Sequence, residues 1–332
     1  MPSPILYNKK FNELTEEEKE LLTINKKSIS DFVEQSSIIS DVDYATRNAH
    51  AKTYAVLKGE FKINPNLPEQ LQPFFDKERY DLIIRFSNAH LKIKQSKKDM
   101  PAYGFSVKIK DDTGDVLANY PLVNFPLFPL NSVSTFLKLF TSINHFFTKK
   151  WNTLIPLIIQ ITKVVPSLFT VSFLKNTIKL IGQRNNFFLS FDYYSVGAYR
   201  LGEYMIKIKL RPKSPQKNFG KKMNTREAIE SYFQSNEYTA DVLIQICYDL
   251  HDQPINKLNR EWKNSPFIKV GEVKIGKNAI LDRTCENELL SFNPFESKTI
   301  FQPVGKIQKL RDEAYKVSIQ TRRKINKLLH GK

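Results

Sequence analysis

Apolar and polar residues alternate along much of this chain, with no helices of regular length between successive stretches, and that pattern leaves few folds open. From residue 54 to about 110, "YAVLKGEFKI", "YDLIIRFS" and "YGFSVKIKDDTGDVL" read as strands, the last turning at Asp112 to Gly114. "EYMIKIKLRP" (203–212), "YTADVLIQICYDL" (238–250) and "FIKVGEVKI" (267–275) continue the series. Strands that follow one another this closely pair antiparallel, and a long series of them removes its exposed edges by closing into a barrel. Helical spacing dominates two other regions: Ser134 to about Ile181, and the segment after Pro303, where Ile307, Leu310, Ala314 and Val317 recur at steps of three and four. The expected class is α+β, an antiparallel barrel with inserted and C-terminal helices.

With 41% hydrophobic and 26% charged residues over 332 positions, the chain has material for a substantial core. We expect one domain over 1–332, with an N-terminal arm (1–40), a helical insertion (134–182) and a C-terminal helical segment (303–330). The formal charge of +17 comes from 51 Lys and Arg against 34 Asp and Glu, and it favours anionic partners: nucleic acid, an acidic membrane surface or a carboxylated ligand. No nucleic-acid-binding motif accompanies the charge, so nucleic acid is not expected. Cys247 and Cys285 fit neither a disulfide framework nor a zinc site, and the N-terminus "MPSPILYNKKFNELTEEEKELL" carries no secretory pattern. A cytoplasmic setting is the expectation that follows. The sequence leaves an oligomer open.

The stretch 151–174, "WNTLIPLIIQITKVVPSLFTVSFL", has the apolar content of a membrane span but not its length. Its longest uncharged run, Trp151 to Thr162, is twelve residues, against the roughly 18 that a span needs, and Pro156, Lys163 and Pro166 interrupt the segment. Two readings stay open: a buried or lid-like helical pair, or a peripheral membrane contact flanked by Lys149, Lys150, Lys163 and Lys175.

Five histidines are present, none at metal-ligand spacing. His50, in "RNAHAK" (47–52), is a core residue, a surface residue or an acid/base group, and the residues alone do not separate these. Arg47 and His50 precede a strand, "RFSN" places Arg85 and Ser87 on one face of another, and Asn124 lies in the apolar run "YPLVNFPLF". Arg311 and Tyr315 are four apart on a helix and share a face, to which Arg322 returns. Ordinary packing accounts for each of these taken singly.

Together they resemble a known family. "RNAHAK", "RFSN", "YGFSVKI", "VNFPLF" and "RDEAYKVSIQTR" occur in the order seen in the heme catalase superfamily, and "YYSVGAYRLGEYMIKIKLRP" with "CENELLSFNP" is similar to its short catalase-like branch. The resemblance runs from about Ala45 to Arg323. It implies the superfamily's eight-stranded antiparallel barrel and a heme b cofactor. It makes His50 the distal acid/base, Ser87 the group that orients it and Asn124 the group that holds peroxide, with Phe128 and Phe136 lining the heme pocket. Tyr315 becomes the iron ligand, a phenolate that Arg311 one turn earlier keeps deprotonated, since the phenol's ordinary pKa is about 10. Arg47, Arg85 and Arg322 become the partners of the heme propionates. The chain departs from the family where Thr53 follows "HAK" in place of glycine, and where "KVSIQT" follows Tyr315.

The function so implied is a peroxide-consuming heme enzyme acting on hydrogen peroxide. A fatty-acid hydroperoxide is the alternative substrate, as in lyase or allene oxide synthase relatives, and the apolar, lysine-flanked 151–174 stretch motivates it. A non-catalytic heme or lipid-binding protein is the third reading. His50 and Ser87 argue against it, because a carrier needs no proton shuttle.

Overall fold

The computed structural model describes residues 3–93, 99–282, 287 and 289–330. Cys285 and part of "CENELLSFNP" therefore lie outside the described residues.

The alternating stretches form β1 (Thr53–Ile63), β2 (Arg79–Asn88), β3 (Tyr103–Lys110) and β4 (Val116–Val123), then β5 (Tyr193–Tyr194), β6 (Ala198–Leu201) and β7 (Tyr204–Pro212). β8 (Tyr238–Ile246), β9 (Ile268–Ile275) and β10 (Pro303–Val304) complete the set. The order β7-β5-β4-β3-β2-β1-β9-β8 closes through a β7–β8 pairing, giving an eight-stranded antiparallel barrel with β6 and β10 added on β7. Closure leaves these eight strands no free edge.

Period-two alternation decides what faces where. Along β2, Leu82, Ile84 and Phe86 enter the barrel, and along β3 Phe105, Val107 and Ile109 do; all are buried in the main core. The opposite face of the same strands carries Arg85, Ser87, Gly104 and Ser106, and their register sets Thr53 beside Ser87 and Ser87 beside Gly104. Ser87 is nonetheless fully buried, so this outer face is covered too.

Helices provide part of that cover. α1 (Glu16–Glu34) starts at a capping box between Thr15 and Glu18, and a short α2 (Ser36–Ser40) follows it. The helical insertion is three helices, α3 (Val133–Lys149), α4 (Leu154–Leu168) and α5 (Val171–Gly182). α6 (Thr225–Ser235) covers β1, and α7 (Lys306–His330) closes the chain. α1 is clamped between two neighbours: Asn25 donates to Thr141 at 2.9 Å on α3, and Lys26 pairs with Glu313 at 2.7 Å on α7. The C-terminal helix begins at Lys306, not at Pro303, because Pro303 and Val304 pair with β6. The strand expected over 238–250 ends at Ile246, ahead of a turn that Asp249 organises.

Candidate functional site

The loop before β1 carries Arg47 and His50 to the outer face of the barrel where Thr53, Ser87 and Gly104 stand side by side. His50 has φ +53°, in the left-handed region that residues other than glycine adopt only where their surroundings hold them. Arg85 Nη2 donates to the His50 carbonyl at 2.7 Å, and Nδ1 of the ring lies 3.1 Å from the Ser87 hydroxyl. Gly104 makes the approach feasible. A Cβ at that position would stand 2.6 Å from Ser87 Oγ and 2.7 Å from His50 Nδ1, so the imidazole lies against bare β3 backbone. Arg85 is 3% exposed, and it also gives Nε and Nη2 to the Thr53 hydroxyl at 3.1 and 2.9 Å.

Burial, then the positive fields of Arg85, Arg311 and Arg47, push the His50 imidazole down to about 3. The ring is therefore neutral at ordinary pH. Arg311, one of the cations whose field reaches the ring, belongs to α7.

On α7, Arg311 Nη1 donates to Gln308 Oε1 at 2.7 Å, and its guanidinium carbon lies 5.8 Å from the centre of the Tyr315 ring. Burial alone would lower the Arg311 pKa, but the hydroxyls of Tyr199 and Tyr315 outweigh it and hold the pKa above its usual value. Tyr315 is half-buried. Arg322, two turns further on, is 4% exposed.

Asn124 follows β4 and is locked by its carboxamide: Oδ1 accepts from Tyr103 N at 2.8 Å and Nδ2 donates to the Pro101 carbonyl at 2.9 Å. This sets it one residue from Gly104. Phe128 and Phe136 have ring centroids 5.9 Å apart and pack with Leu258, Ile307 and Leu310, against the turn of α7 that leads into Arg311. Arg47 Nη2 donates to the Leu290 carbonyl at 2.6 Å. A cavity of about 100 Å³ lies beside Asn124 and Phe125, with Asn176, Lys179 and Gln183 at the α5 side.

His50, Ser87 and Arg85 are thus in direct contact, Arg311 and Tyr315 form a second pair, and Asn124 adjoins the first group through β3. Gly104 and Gln308 carry no sequence signal of their own. Thr53, a departure from the family pattern, joins Arg85 and Ser87 on one face through the register of β1 on β2. Asp249, His251 and Asp252 also stand close enough to share a cation, but they sit on a turn whose N–H groups the Asp249 carboxylate caps.

No family model and no curated protein matches the chain. Solved structures do. A bacterial catalase superposes with a TM-score of 0.63 over 87% of this chain and 60% of its own, at 17% identity. The fold is catalase-like. Catalase A from Saccharomyces cerevisiae gives a TM-score of 0.60 over 83% of this chain and 61% of its own, at 16% identity. A fungal catalase gives 0.60 over 83% and 59%, at 14% identity. The chain spans about three fifths of the length of these catalases. The register of β1, β2 and β3 places the His50 group on the outer face of this barrel.

Proposed function

We propose that this chain is a short catalase-like protein that binds heme b between His50 and Tyr315 and consumes peroxide there. The setting of His50 carries the reading: a neutral imidazole, oriented by Ser87 against Gly104 and reached by the field of Arg311, on the helix that carries Tyr315. The donor set fits the cofactor. Tyr315 offers a phenol oxygen, the donor that would ligate iron, and the Arg311 guanidinium carbon lies 5.8 Å from the centre of its ring. Arg47, Arg85 and Arg322 carry forked donors suited to carboxylates, and Phe128 and Phe136 offer apolar ring faces.

When bound, the heme iron would supply the redox chemistry that breaks the O–O bond. His50 would take a proton from one peroxide oxygen and return it to the other, a shuttle typically worth ~10²–10⁴-fold in rate. Ser87 engages Nδ1 and so leaves Nε2 for the peroxide. Asn124 spends one N–H on Pro101, and its second N–H is the group that would hold the substrate oxygen. A fatty-acid hydroperoxide is the second reading. It is favoured by the cavity beside Asn124, where Lys179 of the apolar helix α5 could meet a carboxylate.

The test is the absorption spectrum of the heme-loaded protein, followed by timed oxygen release from hydrogen peroxide, for wild type, His50→Ala and Gly104→Ala. Both variants should keep the heme band and lose turnover by roughly 10²–10⁴-fold, one by removing the shuttle and the other by displacing it. Wild-type turnover in His50→Ala would return His50 to a structural role. Negligible oxygen release from the wild type, with fast turnover of a fatty-acid hydroperoxide, would favour the second reading.

A further inference from the structure

We propose that α4 and α5 form a docking surface for an anionic lipid membrane, lying in its interface without crossing it. The surface is large and apolar. Ile155, Ile158, Ile159, Phe169, Val171 and Ile178 are exposed by 72, 50, 47, 67, 84 and 70%, and on the two helices together Val164 is the single buried residue. Exposed apolar side chains gathered on two successive helices in this way mark a contact site.

The platform is anchored from beneath. Phe173 of α5 meets Phe125 edge-on at 5.2 Å, Asn176 donates to Glu261 at 2.6 Å, and Leu180 packs on the barrel core. α5 is thus fixed on its inner side, and α4 packs against α3, so docking needs little further ordering.

Charge selects the occupant. Between Asp115 and Asp192 the sequence has no Asp or Glu and seven Lys or Arg, among them the exposed Lys163, Lys175 and Lys179 beside the apolar stripe. A second copy of the chain would bring the same cations to the same face, whereas a bilayer bearing anionic headgroups neutralises them and accepts the isoleucines. Neither helix is long enough to span a bilayer by itself, and the bend between them favours a path along the interface. The helices have 15 and 12 residues and meet at a bend of 96°. At 1.5 Å per residue each is about 18 to 22 Å long, short of the roughly 30 Å hydrocarbon core. Among the described residues no single helix is long and apolar enough to cross a membrane.

The proposal stands apart from the heme reading and is tested without it. The full chain is sedimented with vesicles of phosphatidylcholine, with and without phosphatidylglycerol, at low and high salt. Wild type should bind the phosphatidylglycerol vesicles and weaken with salt. Ile158→Asn/Ile159→Asn should bind them roughly tenfold less, since two apolar side chains leave the lipid. Both positions are exposed, so circular dichroism should be unchanged. Lys163→Glu/Lys175→Glu provides a second arm, expected to lose the preference for anionic lipid. Wild type that stays in solution with both vesicle types, or binding that neither variant alters, would overturn the proposal. So would a dimer in solution that the isoleucine variant dissociates, because it would assign the face to a second copy.

Discussion

His50 joins a left-handed backbone to a ring whose Nδ1 edge meets the Ser87 hydroxyl and lies against the bare backbone of Gly104. The acid/base role makes a statement about pH. Burial and three arginine fields hold the imidazole at about 3, so it stays unprotonated from about pH 8 to about pH 5. A free imidazole of pKa about 6.5 would lose its neutral form roughly thirtyfold over that span. We expect kcat/KM for hydrogen peroxide to stay level across it, and a decline centred near 6.5 would show that the ring is not held in this environment. Stability follows the same sign: the unfolded chain takes the proton first, so the fold loses stability as pH falls from about 6.5 toward about 3. His50, Ser87 and Arg85 were legible because short motifs carried them. Gly104 stood in plain view in "YGF", but its purpose depends on which residue of β2 lies opposite, which no single strand encodes.

α7 is the element on which the candidate site hangs. It carries Arg311, Tyr315 and Arg322, and its far end grips the loop leading to His50: Asn326 Oδ1 accepts from Ala45 N at 2.8 Å, and Asn326 Nδ2 donates to the Ala45 carbonyl at 3.3 Å. Both residues are 3% exposed. Asn326→Ala should therefore cost about 1–3 kcal/mol in urea unfolding, because two buried backbone groups lose their partner. An unchanged unfolding midpoint would mean that the clamp does not hold the loop. The helix was readable from its apolar steps, but its start was not, since pairing with β6 overrides the local pattern at Pro303 and Val304. β5 and β6, at two and four residues, are too short for alternation to register. α1 hid among charges because its inner face buries Ile29, Phe32 and Val33 against helices far along the chain.

Across the whole molecule, the barrel class was legible from alternation and the number of strands only from family resemblance, since closure runs through the two-residue β5. The excess of positive charge gathers in two places. Arginines gather around His50 and α7, and lysines border the exposed apolar helices of the insertion. Whether Tyr315 holds a heme is decided by titrating heme-free protein with hemin and following the Soret band in wild type and Tyr315→Phe. Saturable, equimolar binding with a tyrosinate-type spectrum is expected in wild type, and loss or gross alteration of that spectrum in Tyr315→Phe. A wild type that never develops the band, or a variant whose titration matches wild type, would contradict a heme held by Tyr315.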